Sequence, residues 1–241
     1  MSSLLSVQGI SKRFRGLQAV KSVSFAVPAR GIVALIGPNG AGKTTTFNLI
    51  SGNLPPDEGE IRFADTRIDG LPAHRVCAAG IARTFQIVRP FAELSVEDNV
   101  LVGALRNERD VGQARKSARR ILERLGLWAQ RDRPAGKLTL PDRKRLEVAR
   151  ALGTTPKLLL LDEVMAGLRP TETDQMVAFF REINREFGIT LVLIEHVMRA
   201  VMALAQHVVV LHHGETIAAG PPETVVRDPA VLECYLGEEA L

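Results

Sequence analysis

Cysteine is nearly missing from this chain. Only Cys77 and Cys234 occur in 241 residues, far apart and outside any metal-ligand spacing. That argues against a disulfide framework, and both residues read as plain buried or half-buried side chains in a reducing compartment. A membrane-spanning run is missing too. The longest apolar stretch, AVMALAQHVVVL at 200–211, is broken by Gln206 and His207, and it falls short of the roughly 20 residues a bilayer demands. The opening MSSLLSVQGISKRF has no basic region followed by an apolar one, so no secretory signal is expected. Contact with a membrane is expected only through a partner. Internal repeats and low-complexity tracts are absent. An excess of one charge is absent as well. The net charge is +4, with basic residues scattered among acidic ones, and this does not indicate nucleic-acid binding.

What remains is an ordinary globular composition, 46% hydrophobic and 24% charged. A chain of this length suits one large domain carrying an insertion, with a core that needs no disulfide or metal staple. Short β-like runs open it: LLSVQGI (4–10), AVKSVSFAV (19–27) and GIVALIG (31–37). The last is apolar throughout, as a strand covered on both faces should be. KTTTFNLISG (43–52) reads as a helix stopped by Gly52, and EIRF as a short strand after the turn-rich PPDEG. From 88 to 153 strand-like runs nearly vanish. There ARKSARRILERLGL (114–127) sets Ala118, Ile121, Leu122, Leu125 and Leu127 on roughly one helical face. Alternation then returns with KLLLL (157–161), a helix near 171–187, ITLVLIE (189–195), another helix and HVVVL (207–211). The expected fold is a parallel-sheet α/β domain, 1–87 and 154–241, interrupted by a helical subdomain, 88–153.

Two elements carry chemistry. GPNGAGKT (37–44) fits G-x-x-x-x-G-K-[ST] between an expected strand and an expected helix, the context that motif requires. Its glycines let consecutive N–H groups turn inward on phosphate oxygens, and the following helix adds its positive end. The candidate nucleotide contacts are Gly37, Pro38, Asn39, Gly40, Ala41, Gly42, Lys43, Thr44 and Thr45. Lys43 supplies a point charge for β/γ-phosphates, and Thr44 offers Mg²⁺ a hard oxygen. The second element is LLLLDE (158–163), whose carboxylates end a buried strand on the side where open α/β sheets bind ligands. Asp162 is assigned to the magnesium shell and Glu163 to orienting the attacking water. His196 closes another buried strand in the same row, whereas His74, His207, His212 and His213 read as structural or surface residues.

Taken in order and spacing, the phosphate loop, RTFQ (83–86), the helical insertion, RLEVARAL (145–152), LLLLDE, AGL (166–168) and IEH (194–196) resemble an ATP-binding cassette protein over the whole chain. RTFQIVRPFAELSVEDNVLVGAL (83–105) and GPPETVVRDPAVLECYLGEE (220–239) resemble the ATPase subunits of branched-chain amino acid importers. The resemblance implies a RecA-like P-loop NTPase core with a mostly parallel sheet and an antiparallel β region near the N-terminus. It implies ATP and Mg²⁺ as cofactors, Gln86 as a sensor of γ-phosphate and metal, and His196 as a γ-phosphate switch. Phe14 would stack on adenine, although as a bare sequence feature it reads as a core residue. The family works as head-to-tail pairs of ATPases beneath two permease subunits on the cytoplasmic face of the membrane, with a solute-binding protein acting indirectly. A second cassette, as heterodimer or homodimer, is therefore an expected partner, and nucleic acid is not. A nucleotide-binding regulator and a soluble non-transport cassette are the alternatives. The sequence does not name the solute.

The family signature, usually L-S-G-G-Q, is altered in LTLPDRKRLEVARAL (138–152). Leu138 matches and Thr139 keeps the hydroxyl for a partner's nucleotide, but Leu140, Pro141 and Asp142 depart. Proline has no amide to donate, and Asp142 brings negative charge toward a phosphate, yet proline at a first helical position starts a helix well. The expectation is an asymmetric pair: the site built on this chain's loop hydrolyses ATP, and the site its signature completes mainly holds it. Val164 stands where many relatives have proline. The apolar segment after Gln86, with Ile87, Val88, Phe91 and Leu94, reads either as a groove for a permease helix or as subdomain core.

Overall fold

Alternating apolar residues shape the first strands of the computed structural model, which describes residues 3–236. β1 (Ser3–Phe14) and β2 (Leu17–Pro28) pair antiparallel, and their inward Leu5, Val7, Ile10, Val20, Val23 and Val27 are buried. β3 (Ile32–Ile36) follows, buried along its whole length, and leads through the loop into α1 (Lys43–Ile50). β4 (Glu58–Phe63) joins β1 antiparallel and β5 (Thr66–Arg67) closes that sheet in the order β2-β1-β4-β5. This is the antiparallel region expected near the N-terminus. α2 (Ala73–Ala79), inside a stretch without a helical signal, precedes β6 (Ile81–Arg83).

Helices take over next: α3 (Val96–Ala104), α4 (Val111–Arg124) and α5 (Leu140–Gly153). Among the described residues, this stretch has no strand beyond one isolated bridge between Ser95 and Pro134. Ala118 and Leu122 of α4 are fully buried, but the helix ends at Arg124, so the buried Leu125 and Leu127 belong to the turn beyond it. The chain continues through β7 (Leu158–Asp162), α6 (Pro170–Phe187), β8 (Thr190–Ile194), α7 (Met198–Leu204), β9 (His207–His212), β10 (Glu215–Gly220), α8 (Pro222–Val225) and α9 (Pro229–Leu236). Residues 237–239 of the tail singled out in the sequence lie outside the described residues.

The second sheet runs β10-β9-β3-β8-β7-β6, parallel except for β10. Strand side chains alternate between faces, and β3 divides accordingly. Val33 and Leu35 join the core beneath the antiparallel sheet, with Phe47 of α1. Ile32, Ala34 and Ile36 join the core built with α5, α6 and α7. Leu35 pairs with Ile194, and Ile194 in turn with Asp162. The carboxyl ends of β3, β8 and β7 therefore meet in one row, the edge where a doubly wound sheet binds its ligands.

Candidate nucleotide-binding site

At the end of β3 the chain turns at Gly37, whose φ is 143° and where an added Cβ would meet Leu211 O at 2.0 Å. Gly42 is similarly constrained, with φ 98° and a Cβ position 2.4 Å from Ala19 O. Both glycines are required by conformation and by space. Lys43, 5% exposed, bends back so that Nζ donates to Gly37 O and Pro38 O, each at 2.7 Å. The ammonium thus sits over the loop it follows. Gly42 caps α1 without a side chain, and the first turn of the helix holds no acidic residue. Its leading amides and positive end are thus left for an external anion. Thr44 is exposed at that end and Thr45 half-buried, while Asn39 and Gly40 form the exposed tip.

Asp162 ends β7 at 1% exposure. Its Oδ2 accepts from Arg83 Nη2 at 2.8 Å and its backbone N donates to Thr84 Oγ1 at 3.0 Å. Burial pushes the Asp162 carboxyl above the usual range, and the Arg83 guanidinium pulls it back. Oδ1 is buried with no hydrogen-bond partner. A buried carboxylate oxygen left unmatched is costly, and a hard carboxylate oxygen of that kind suits Mg²⁺. The residues fit that ion.

Glu163 carries a left-handed backbone, φ 50°, and its amide bonds to Ile194 O at 2.9 Å. Such strain in a non-glycine residue is held only where the surroundings enforce it. Its two carboxylate oxygens are both engaged: Gln86 Nε2 donates to Oε2 at 2.7 Å, and His196 Nε2 lies 2.9 Å from Oε1. Three residues singled out from separate stretches of sequence thus form one hydrogen-bonded cluster beside the loop strand. Phe14 and Thr139 make no hydrogen bond or ring contact to it. Phe14 is 41% exposed at the end of β1, which overturns the core reading of that residue. Thr139 is the N-cap of α5, its hydroxyl donating to Asp142 Oδ2 at 3.0 Å and accepting from Asp142 N at 3.4 Å. Pro141 is the second residue of that helix rather than the first.

Lys144 of α5, which the sequence offers with Arg143 as a charge for the phosphate at the altered signature, is 7% exposed and instead donates to Glu163 O at 3.1 Å and to Ala166 O, fastening α5 to the loop after β7. Arg83 and Glu195 went unread in the sequence. Glu195, 1% exposed, accepts from Met165 N at 2.8 Å, and burial raises its pKa to about 7. Its place next to His196, closing an apolar strand, was the available signal.

Beyond Gln86, Ile87 is 66% exposed, with Phe91 and Leu94 also exposed and Val88 partly so. These residues are not core. Phe91 and Phe85 line a cleft of about 340 Å³ with Arg83, Val102, Glu147 and Arg150. Arg150 stacks on Phe91 at 4.8 Å and donates to Arg89 O at 3.0 Å, so α5 holds the segment in place.

Residues 20–166 match the family described as ABC transporter, and residues 215–240 match the one described as branched-chain amino acid ATP-binding cassette transporter. The chain is 40% identical over 250 residues to the high-affinity branched-chain amino acid transport ATP-binding protein BraF of Pseudomonas aeruginosa, with 98% of each covered. The same identity and coverage relate it to the high-affinity branched-chain amino acid transport ATP-binding protein LivG of Escherichia coli K12. Among solved structures, the ADP conformation of an ATP-binding cassette of an ABC transporter matches with TM-score 0.90 at 32% identity, covering 98% of this chain and 100% of that one.

Proposed function

The chain belongs to the ABC transporter family of ATP-hydrolysing proteins, and from that premise we propose that it is the energising subunit of a membrane importer for branched-chain amino acids or related small amides and acids. The match of the tail at 215–240 supports the solute class. The hydrolytic role rests on one observation, the Glu163 carboxylate held at both oxygens by Gln86 and His196. The loop amides and Lys43 bind the β- and γ-phosphates. Glu163 orients the attacking water and draws on its proton, a contribution of about 10²–10⁴-fold in rate where geometry is good. His196 and Gln86 keep the carboxylate aimed. Asp162, Thr44 and Gln86 would hold Mg²⁺, which would supply positive charge against the phosphoryl oxygens.

Gln86 also opens the exposed apolar segment, so an occupant of the neighbouring cleft that moves this segment moves a ligand of Glu163. That cleft is the docking site for a permease subunit in this reading. The helical insertion, 88–153, acts as a subdomain that carries both the groove and the signature. No helix among the described residues is long and apolar enough to cross a membrane, and attachment at the cytoplasmic face runs through the permeases. A second cassette completes the nucleotide sites. We assign that partner as a different chain with an ordinary signature, since LTLPD suits it poorly to complete both sites of a homodimer.

The test is ATP hydrolysis by the assembled complex with and without candidate solutes. Glu163→Gln should retain ATP binding and lose turnover, by about 10²-fold or more. Turnover at the parent rate would refute the assignment of Glu163, and indifference of the complex to branched-chain amino acids would refute the solute class. Phe91→Glu should uncouple transport from hydrolysis while the isolated chain stays folded. Loss of folding without an effect specific to the complex would remove the docking surface.

A further inference from the structure

Arg83 is a charge the mechanism above does not use. Its side chain is 6% exposed and pairs at 2.8 Å with that of Asp162, 1% exposed. The other branch of the guanidinium, Nη1, donates to Asn48 Oδ1 at 2.6 Å in the last turn of α1 and to Ser51 Oγ at 3.1 Å just beyond it. The ring of Phe47 lies on one side, 5.6 Å away, and the ring of Phe85 on another, 5.1 Å away. Phe85 in turn is 48% exposed in the cleft beside Phe91. A planar fork held at both branches and flanked by aromatic rings is a task for arginine rather than lysine. A buried ion pair is a weak way to gain stability, because desolvation offsets most of the attraction. Its value here lies in direction: Oδ2 of Asp162 is occupied by Arg83, and Oδ1 alone is left without a protein partner.

We propose that Arg83 is a positioning residue that fixes the Asp162 carboxylate with Oδ1 presented to the metal shell, and that it links the cleft wall at Phe85 to that carboxylate. The inference rests on the reading of Asp162 as a metal-shell residue. It gives the cleft a second connection to the nucleotide, separate from Gln86. The first connection reaches Glu163 and the second reaches Asp162. Neither shares a hydrogen bond with the other.

The experiment is equilibrium binding of ATP to the isolated chain, once in EDTA and once with saturating Mg²⁺, with thermal melting followed in parallel. Three variants decide it. Asp162→Asn should abolish the gain in affinity that Mg²⁺ confers. Arg83→Gln should leave binding in EDTA within about twofold and cut the Mg²⁺-dependent gain by about tenfold, the size expected for losing one charged hydrogen bond. Arg83→Lys, which keeps the charge and loses the fork, should fall between parent and Arg83→Gln. Asn48→Ala removes the shorter of the two tethers of Nη1 while keeping the ion pair and the bond to Ser51. It should lower the melting temperature and leave the Mg²⁺-dependent gain intact. If Arg83→Gln does not fold, Arg83→Lys and Asn48→Ala still separate the two roles. A Mg²⁺-dependent gain unchanged in both arginine variants, or one lost equally in Asn48→Ala, overturns the proposal. A gain retained in Asp162→Asn would instead remove the metal-shell reading beneath it.

Discussion

Two helices of this chain begin at motifs read as phosphate-binding, and their N-termini are finished in opposite ways. α1 starts at Gly42 with a left-handed backbone, no side-chain cap and no acid in its first turn. α5 starts at Thr139, which caps it, with Pro141 in second place and Asp142 in third. Asp142 Oδ2 accepts from Thr139 Oγ1 at 3.0 Å and from Gln130 Nε2 at 3.1 Å, and Arg145 lies 3.7 Å from Oδ1. The helix dipole and leading amides attract whatever anion is nearest. In α1 nothing within the helix serves, so the end is left for a ligand. In α5 the chain supplies its own carboxylate, and proline removes one donor from the set. The lesson is that a helix N-terminus is an anion site only when the sequence leaves it unsatisfied.

The contrast breaks first at α1. Gly42→Ala puts a methyl 2.4 Å from Ala19 O at a φ of 98°. The backbone strain of about 1–3 kcal/mol, added to misdirected amides worth about 1.5–3 kcal/mol each against a charged ligand, should weaken ATP binding by about 100-fold or more. Equilibrium titration of the isolated chain, with circular dichroism as a check on folding, measures it. Parent affinity would show that the α1 terminus is not the phosphate site.

The next effect is smaller and runs the other way. Rewriting Leu140-Pro141-Asp142 as Gly-Gly-Gln opens the α5 terminus to an external phosphate. Hydrolysis per assembled complex should rise by about tenfold, the return on one recovered hydrogen bond to a charged group. The gain should vanish when the partner cassette's own catalytic glutamate is removed. An unchanged rate would mean that the internally capped terminus already serves, and the asymmetry of the pair would fall.

Much of this contrast is visible in the sequence, because it depends on residue types at fixed spacing. Gly37, Gly42 and Lys43 follow a strand apolar on both faces, and Asp162 and Glu163 end another, so strand-end chemistry is legible once the strands are. Which side chains meet beneath the surface is not. Arg83 and Asp162 are 79 positions apart, and their contact depends on β6 lying parallel to β7 with Arg83 opposite Leu160. Nothing local in RTFQ encodes that register. The direction of Asp142 is similarly hidden. Read along the chain it aims at a phosphate, but an N3 carboxylate also reaches back to its own cap, and the rotamer decides between them. Phe14 misleads for the converse reason: an aromatic in an alternating strand signals core, yet at the last pair of the β1–β2 hairpin, opposite Leu17, it has run past the layer that would cover it.

The sharpest test of the contrast is also the one with the smallest effect, Asp142 alone. If its carboxylate serves its own helix by bracing the Thr139 cap, Asp142→Ala should destabilise the isolated chain by about 0.3–1 kcal/mol, the usual value of an acidic side chain in the first turn of a helix, lowering the melting temperature by about 1–4 °C for a chain of this size. Asp142→Asn keeps a hydrogen-bonding oxygen without the charge and should lose less. Both should raise hydrolysis in the assembled complex, since each removes a negative charge from a terminus a phosphate must approach. The two readouts then move in opposite directions, stability down and turnover up, which no purely structural defect produces. A variant that raises turnover with no loss of stability would mean that the carboxylate faces the nucleotide in the assembly rather than its own helix. A loss of stability with unchanged turnover would mean that Pro141, not Asp142, is what closes the α5 terminus.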